Sequence, residues 1–170
     1  MRLFIAIQLE QNIKNALTDA QKELRRRGFH GRYTDMENMH LTLAFIGEFS
    51  DPDLVAETMG QVRFEPFDLT LGGFIGNFGS LLWAGIEKAP PLEKCVKQLR
   101  HALAEGKIPF DRKSFDPHIT LLRNAESKRG FADIGITEES MTVRRIFLMR
   151  SELGKHGAVY TELGSAEARQ

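Results

Sequence analysis

Two segments of the sequence carry the same landmarks in the same order, 78 residues apart. His40 and Thr42 in the first segment correspond without a gap to His118 and Thr120 in the second. A predicted strand and a predicted helix precede each motif, and a glycine that ends the helix stands twelve residues before each histidine. Self-similarity at a fixed offset predicts two similar lobes, which a pseudo-two-fold axis would pack around one central cleft.

Each motif has the form His-apolar-Thr-apolar and lies in a segment that is typical of a strand. In a strand, side chains two residues apart point to the same face, so the imidazole and the hydroxyl lie side by side. From the five histidines and the threonine content of the chain, two such matches are expected by chance on the order of once in a thousand sequences. The doubled motif therefore indicates a site.

Apolar periodicity and turn residues predict the remaining elements. Helices are predicted over 13–27 with Gly28 just beyond the end, from 50 onward and over 90–106. Strands are predicted over 2–10, 39–46, 67–79, 81–87, 115–123, 141–152 and 158–163. No linker or low-complexity segment interrupts the chain, which predicts one domain over 1–170 made of two interleaved, repeat-related lobes. We expect residues 164–170, which are small and polar, to form a loose tail.

Composition and charge restrict the kind of partner. Lys plus Arg and Asp plus Glu both number 23, so the net charge is zero, whereas binding a long duplex requires a basic surplus. A short RNA end or a nucleotide needs only one local basic pocket. The sequence has no run of eighteen apolar residues and no secretory leader at its start, so we expect no membrane span and a cytoplasmic location. We also expect a monomer.

Several other reactive side chains receive structural interpretations. Cys95 is the single cysteine, which excludes an internal disulfide, and it lies on the apolar stripe of its helix, where burial is expected. His30, His101 and His156 lie in no repeated motif and are predicted to be surface or structural residues. The basic run 25–27 is typical of a solvated helix end, although an RNA strand leaving the cleft could touch it.

Two imidazoles at one cleft suit acid–base catalysis. A histidine pKa near 6.5 allows one ring to be neutral while another is protonated, so His40 and His118 can act as a general acid and a general base. The hydroxyls of Thr42 and Thr120 can donate hydrogen bonds to phosphate oxygens. Each motif offers only one metal ligand, so the sequence does not favour a metal site, and we expect no cofactor.

Two further residues occupy equivalent positions after the motifs. Arg123 stands five residues after His118, and its guanidinium fork fits a phosphate group. Phe45 stands five residues after His40 and could stack on a base or pack in the core. In a regular strand both side chains would point away from the histidine face, so each requires a bulge or a strand end to reach the cleft.

Longer stretches around the motifs resemble a known family. They are the segments ENMHLTLAFIG over 37–47 and FDPHITLLR over 115–123, together with the opening strand over 2–7 and the stretch 148–153 with Tyr160. The sequence resembles the 2H phosphoesterase family and, within it, the RNA 2′,3′-cyclic phosphodiesterases once called 2′-5′ RNA ligases. One departure is the pair at 35–36, Asp-Met, where relatives typically carry a proline.

The resemblance implies a two-lobed α+β fold, each lobe an antiparallel sheet with helices outside, and a cleft that holds both motifs. It implies metal-independent hydrolysis of an RNA 2′,3′-cyclic phosphate end to a 2′-phosphate, with a reversible 2′-5′ ligation that needs no ATP. The implied roles are general acid for His40, general base for His118, phosphate binding for Thr42, Thr120 and Arg123, and base stacking for Phe45.

Two alternatives stay open at this point. The substrate could be a small cyclic nucleotide or a 2′-5′ oligonucleotide in place of a longer RNA end, which the neutral charge permits. The chain could also be an RNA-end or nucleotide binding module without turnover, although binding alone does not call for a matched acid and base.

Overall fold

The computed structural model describes residues 1–169, which form nine β-strands, three α-helices and one 3-10 turn. The strands are β1 (Arg2–Gln8), β2 (His30–Tyr33), β3 (His40–Glu48), β4 (Phe67–Phe78), β5 (Leu81–Ile86), β6 (Ile119–Glu126), β7 (Ser140–Val143), β8 (Arg145–Gly154) and β9 (Gly157–Glu167). The helices are α1 (Gln11–Arg26), α2 (Pro52–Met59) and α3 (Pro90–Glu105), and the 3-10 turn covers Met36–Asn38. No helix in the described part of the chain is both long and apolar enough to cross a membrane.

The strands form two antiparallel sheets. The first, called the His40 sheet here, has the order β3-β1-β8-β9. The second, the His118 sheet, has the order β2-β6-β5-β4-β7, and His118 immediately precedes β6. In each sheet the motif strand pairs with the strand that opens its own repeat, β3 with β1 and β6 with β5. The architecture is the expected two-lobed α+β fold.

The two repeats are locked together by their helices. α1 follows a strand of the His40 sheet but contacts β6 and β7 of the other sheet. α3 follows a strand of the His118 sheet and contacts β3 of the other sheet as well as β4 of its own. β3 and β6 also contact each other although they belong to different sheets. Each sheet is therefore held by a helix from the other repeat, and the two motif strands meet between them.

One continuous cluster of buried apolar residues fills the space between the sheets and the helices. The amphipathic face of α1 contributes Ile13, Leu17 and Leu24, and that of α3 contributes Leu92 and further residues at helical spacing. Cys95 belongs to this cluster as expected, and burial raises the pKa of its thiol to about 11.

Most predicted elements agree with the structure in type and place, and the differences have local causes. The predicted strand over 141–152 is two strands, because the chain passes from one sheet to the other at Arg144: β7 pairs with β4 and β8 pairs with β1. The sequence does not predict β2, because it is an exposed edge strand without an apolar pattern and is held by backbone hydrogen bonds to β6. These bonds do not depend on side-chain character, so periodicity could not indicate them.

The expectation of a loose tail over 164–170 is wrong for the residues that the structure describes. β9 continues to Glu167 along β8. Beyond it, the backbone N–H of Ala168 donates to Arg144 O at 2.8 Å, and that of Arg169 donates to Phe64 O at 2.8 Å. Small and polar side chains mark a segment as exposed, but ladder hydrogen bonds fix it all the same. Position 170 lies outside the described residues.

Candidate active site

Both motif histidines are held by the same backbone hydrogen bond. His40 Nδ1 lies 2.7 Å from the carbonyl oxygen of Asn38, and His118 Nδ1 lies 2.7 Å from that of Asp116. A carbonyl oxygen only accepts, so Nδ1 carries the proton in both rings and Nε2 is the acceptor nitrogen of the neutral imidazole. The similarity of the two repeats thus extends to the tautomer of each ring, and Nε2 is the ring nitrogen that the backbone carbonyl does not bind.

The hydroxyl of each motif lies on the same face as its histidine. His40 Nε2 is 2.9 Å from Thr42 Oγ1, so the hydroxyl donates to the neutral ring. Thr120 is half-buried two residues after His118 and faces Trp83 on the neighbouring strand. This arrangement of imidazole and hydroxyl agrees with the alternation that the motif predicts.

The pKa of His40 is lowered from its ordinary value. Burial, which penalises the charged imidazole, is the main cause, and the positive charge of Arg123, with that of His118 when its ring is protonated, lowers the pKa further. The bond to the Asn38 carbonyl opposes these effects. His118 precedes β6 and Arg123 lies on it, and β3 contacts β6, so the two motifs lie close to each other. In the free protein the neutral form of His40 is favoured.

β3 contains the bulge that Phe45 needs to reach the cleft. Ile5 pairs with Ala44 and the next residue of β1, Ala6, pairs with Thr42, so Leu43 is an extra residue without a cross-strand partner. Leu43 and Ala44 are consecutive and both buried. The bulge shifts the alternation by one residue and returns Phe45 to the face of Thr42.

β6 repeats this bulge at the equivalent position. Leu82 pairs with Leu122 and Trp83 pairs with Thr120, which leaves Leu121 as the extra residue. Leu121 and Leu122 are both buried, and Arg123 then emerges exposed on the face of Thr120. The geometric requirement stated for Arg123 is therefore met by a bulge.

Each bulge is held by a side chain from the helix of the other repeat. Gln21 of α1 is buried, and its Nε2 donates to Leu121 O at 3.1 Å and to Thr34 O at 2.8 Å. Arg100 of α3 donates from Nη2 to Leu43 O at 3.5 Å. A bulge disrupts the ladder locally, and these side chains donate to the carbonyls of the two extra leucines. Leu121 O also accepts from the backbone N–H of Thr34 at 3.0 Å. Neither Gln21 nor Arg100 stands out in the sequence.

Phe45 is not a core residue. Its ring is 36 % exposed, and the guanidinium carbon of Arg2 lies 5.1 Å from the ring centroid. It pairs across the sheet with Phe4, on the face that also carries His40 and Thr42. Of the two interpretations left open by the sequence, packing in the core does not fit this exposure.

A cavity of about 380 Å³ opens beside His40. Phe4 and Tyr160 line it, with ring centroids 4.9 Å and 5.3 Å from that of His40. Its polar wall includes Gln8, whose Nε2 donates to Glu162 Oε1 at 3.2 Å. Sequence reasoning gave these residues no role, since β1, β3 and β9 come together only through sheet pairing.

The other candidates from the sequence do not line the cavity beside His40. His30, His101 and His156 are exposed. Arg26 and Arg27 of the basic run hydrogen-bond Glu23, and these bonds hold the pKa of that carboxyl at about 2. Among residues 1–169 no three His, Cys, Asp or Glu side chains are grouped so that they could hold a metal ion.

Two antiparallel sheets, each presenting a His-apolar-Thr strand to the same cleft, define a class. The chain is a 2H phosphoesterase.

Comparison with known proteins narrows the class to a family. The family model described as the 2′-5′ RNA ligase superfamily matches residues 10–155, and the chain belongs to that superfamily. The RNA 2′,3′-cyclic phosphodiesterase of Thermotoga maritima is 32 % identical over 176 residues, covering 96 % of this chain and 93 % of the relative. That of Archaeoglobus fulgidus is 32 % identical over 177 residues, covering 96 % and 98 %. The structure of E. coli LigT complexed with 3′-AMP superposes with a TM-score of 0.87 at 28 % identity and covers 99 % of this chain and 98 % of that one.

Proposed function

We propose that this chain hydrolyses RNA 2′,3′-cyclic phosphate ends to 2′-phosphates by paired histidine acid–base catalysis that needs no metal. The observation that carries the proposal is the identical anchoring of His40 and His118 through Nδ1, which turns Nε2 of each ring away from the backbone carbonyl. In His40 this nitrogen lies beside the Thr42 hydroxyl. The name RNA 2′,3′-cyclic phosphodiesterase, carried by relatives that match nearly the whole chain, supports the substrate class.

In the proposed reaction, His118 Nε2 accepts a proton from water as the water oxygen attacks phosphorus. The bond from phosphorus to the 3′-oxygen breaks, and His40 Nε2 donates a proton to that oxygen. Thr42, Thr120 and Arg123 donate hydrogen bonds to the non-bridging oxygens as negative charge grows there. An acid and a base placed in this way each contribute about 10²–10⁴-fold. Proton exchange with solvent then restores both rings.

The acid role requires that His40 be protonated in the complex. Burial keeps the pKa of His40 below its ordinary value in the free protein. A bound phosphodiester carries a negative charge, and an opposite charge at contact distance favours the imidazolium. We propose that the substrate itself supplies the shift that charges His40. Phe45, exposed on the same face, stacks on the terminal base in this arrangement.

The first experiment uses a short RNA ending in a 2′,3′-cyclic phosphate, in EDTA, with wild type, His40→Ala, His118→Ala and, as a matched control, His101→Ala on the exposed face of α3. We expect opening to a 2′-phosphate by the wild type and the control, and a loss of about 10²–10⁴-fold in each motif variant. Activity that appears only after adding a divalent metal would overturn the metal-free mechanism.

A second substrate distinguishes the acid from the base. A cyclic analogue with sulfur in place of the 3′-oxygen expels a thiolate, which needs little protonation. We expect this analogue to restore much of the rate of His40→Ala and none of the rate of His118→Ala. If the analogue instead restored the rate of His118→Ala, His118 would be the general acid and His40 the general base.

A small nucleotide is the second candidate substrate, and the cavity beside His40 favours it. Its volume of about 380 Å³ lies within the usual range for small-ligand sites. Comparing kcat/KM for a mononucleoside cyclic phosphate with that for an oligonucleotide separates the two candidates. Binding of either without ring opening would instead indicate a binding module.

We also propose that the chain acts as a monomer in the cytoplasm. The single cysteine is buried, which suits a reducing compartment and offers no intermolecular disulfide. Light scattering on the purified protein and cell fractionation test the two statements separately.

A further inference from the structure

Three aromatic rings form a surface beside His118, called the aromatic platform here: the exposed Phe74 and Phe78 and the half-buried Trp83. The Phe78 ring lies edge-on to the His118 ring at 5.0 Å between centroids. Trp83 lies 5.0 Å from Phe78 and 5.9 Å from Phe74, so the rings are continuous. Phe74 and Phe78 are 48 % and 43 % exposed. Neither the proposed hydrolysis nor the core uses these exposed rings.

Glycines in β4 and β5 make room for the platform. A Cβ at Gly76 would lie 2.3 Å from the Trp83 ring, and a Cβ at Gly85 would lie 2.1 Å from the Phe74 ring. With these ring positions, no larger residue fits at either glycine. The rings of Trp83 and Phe74 therefore pack directly against the sheet backbone, which restricts their movement.

The platform lies on the cleft face of its sheet. Trp83 pairs across the sheet with Thr120, and directly paired residues share a face. Gly76 pairs with Trp83 from the other side, and Phe78 lies two residues further along β4 on the same face. The rings therefore extend outward from His118 across β5 and β4.

This position is the side from which the nucleophile arrives. In an in-line displacement at phosphorus, the attacking and leaving oxygens lie on opposite sides. The leaving 3′-oxygen belongs to the RNA that carries the cyclic phosphate and is next to His40, so that nucleoside lies against the His40 sheet. The attacking oxygen is next to His118, and the platform borders that position.

We propose that the aromatic platform is a stacking site for the first base of a second RNA strand, whose 5′-hydroxyl takes the place of water. This inference rests on the proposed function. His118 accepts the proton of the 5′-hydroxyl as its oxygen bonds to phosphorus, the bond to the 3′-oxygen breaks, and His40 protonates that oxygen. The product is a 2′-5′ phosphodiester, and opening of the ring takes the place of ATP. The platform thus sets the ratio of ligation to hydrolysis.

Pseudo-symmetry gives the site an independent rationale. One phosphate flanked by two nucleosides matches a cleft in which one phosphate-binding centre lies between two sheets, each with aromatic residues on its cleft face. On the His40 sheet these are Phe4, Phe45 and Tyr160. Base stacking on aromatic side chains is tolerant of base identity, so the platform selects a single strand with a free 5′-hydroxyl and no particular sequence.

The experiment follows a cyclic-phosphate donor RNA mixed with a 5′-hydroxyl acceptor RNA, with hydrolysed and 2′-5′-joined products counted separately. The variants are Phe74→Leu, which removes a ring that does not touch His118, and Phe74→Tyr, which keeps a ring. Trp83 is the single tryptophan of the chain, so quenching of its fluorescence by the acceptor reports binding without catalysis.

We expect Phe74→Leu to raise the KM for the acceptor on the order of tenfold, to keep hydrolysis within about twofold, and to weaken the quenching. Phe74→Tyr should behave as wild type. With the wild type, an acceptor that lacks its first base should show the same increase in KM as the Phe74→Leu variant shows with the intact acceptor. With Phe74→Leu, removal of that base should raise the KM no further.

Equal loss of ligation and hydrolysis in Phe74→Leu would overturn the inference, because the ring would then support His118 alone. A wild type that hydrolyses the donor but neither binds nor joins the acceptor would also overturn it and would leave the proposed function intact. Absence of hydrolysis in the wild type, by contrast, would contradict the proposed function itself.

Discussion

Replacing Gln21 by Met tests whether a helix of one repeat positions a residue at the other motif. The Gln21 amide is 4 % exposed and donates two hydrogen bonds, to Thr34 O at 2.8 Å and to Leu121 O at 3.1 Å. Leu121 O keeps the backbone N–H of Thr34 as a donor at 3.0 Å. Met fills a similar volume without donating, so the Thr34 carbonyl loses its side-chain donor in a partly buried place and the buried Leu121 carbonyl loses one of two donors.

The magnitude follows from these bonds. Each ordinary hydrogen bond contributes about 0.5–1.5 kcal/mol net, and a buried acceptor left unpaired costs about 1–3 kcal/mol. We expect Gln21→Met to lower the free energy of unfolding by about 2 kcal/mol, measured by urea denaturation. The bulge at Leu121 also aims Arg123, so we expect kcat/KM on a cyclic-phosphate RNA to fall about tenfold, which corresponds to about 1.4 kcal/mol.

Two further variants make this reasoning refutable. Ile13→Val, a buried change elsewhere on α1, should cost about 0.5–1.5 kcal/mol of stability and leave kcat/KM unchanged. In an Arg123→Ala background, Gln21→Met should cause no further loss of activity, because the residue that it positions is gone. An additive loss in the double variant, or full activity in Gln21→Met despite the lost stability, would refute the positioning role.

Three further predictions concern single side chains. Burial lowers the folded-state pKa of His40 below the unfolded value of about 6.5, so its stability contribution is present above that pH and is lost as the pH falls through the folded value. In His40→Gln, the urea midpoint should therefore decrease less than in wild type as the pH falls below about 6.5. Arg123→Lys should lower kcat/KM on the order of tenfold through loss of the two-pronged phosphate contact, a result that an unchanged rate would contradict. Cys95, with a thiol pKa raised to about 11, should react with a thiol reagent at neutral pH only after denaturation, as followed by mass spectrometry.

The sequence predicts the parts of the site that depend on local alternation. The His-apolar-Thr spacing places each imidazole and hydroxyl on one face, and the fixed offset between the copies predicts two lobes. Both follow from the period of a strand and need no knowledge of the partner strand. The direction of the Arg123 side chain cannot be predicted in this way, because it depends on a bulge, and a bulge is a property of two paired strands.

The sequence does contain a signal for the two bulges, which becomes clear once the strand pairing is known. After Thr42 and after Thr120, two consecutive apolar residues interrupt the alternation, Leu43-Ala44 and Leu121-Leu122. Two adjacent residues that are both buried against one partner are what a bulge produces. The cavity beside His40 carries no such signal, since it is assembled from β1, β3 and β9, which lie far apart in the chain. The aromatic platform lies on β4 and β5, which are neighbours in the chain, but its place beside His118 depends on the pairing of β5 with β6.

The exchange of helices between the repeats has a consequence for folding. α1 is needed to cover the His118 sheet, whose strands β4 to β7 are made later in the chain, and α3 is needed to cover β3. Neither half can bury its apolar surface alone, so the two halves should unfold in a single cooperative transition. Contacts between residues far apart in sequence also slow the search for the native topology. A truncated or incompletely synthesised chain should therefore form no active structure, and catalytic activity becomes a measure of complete folding.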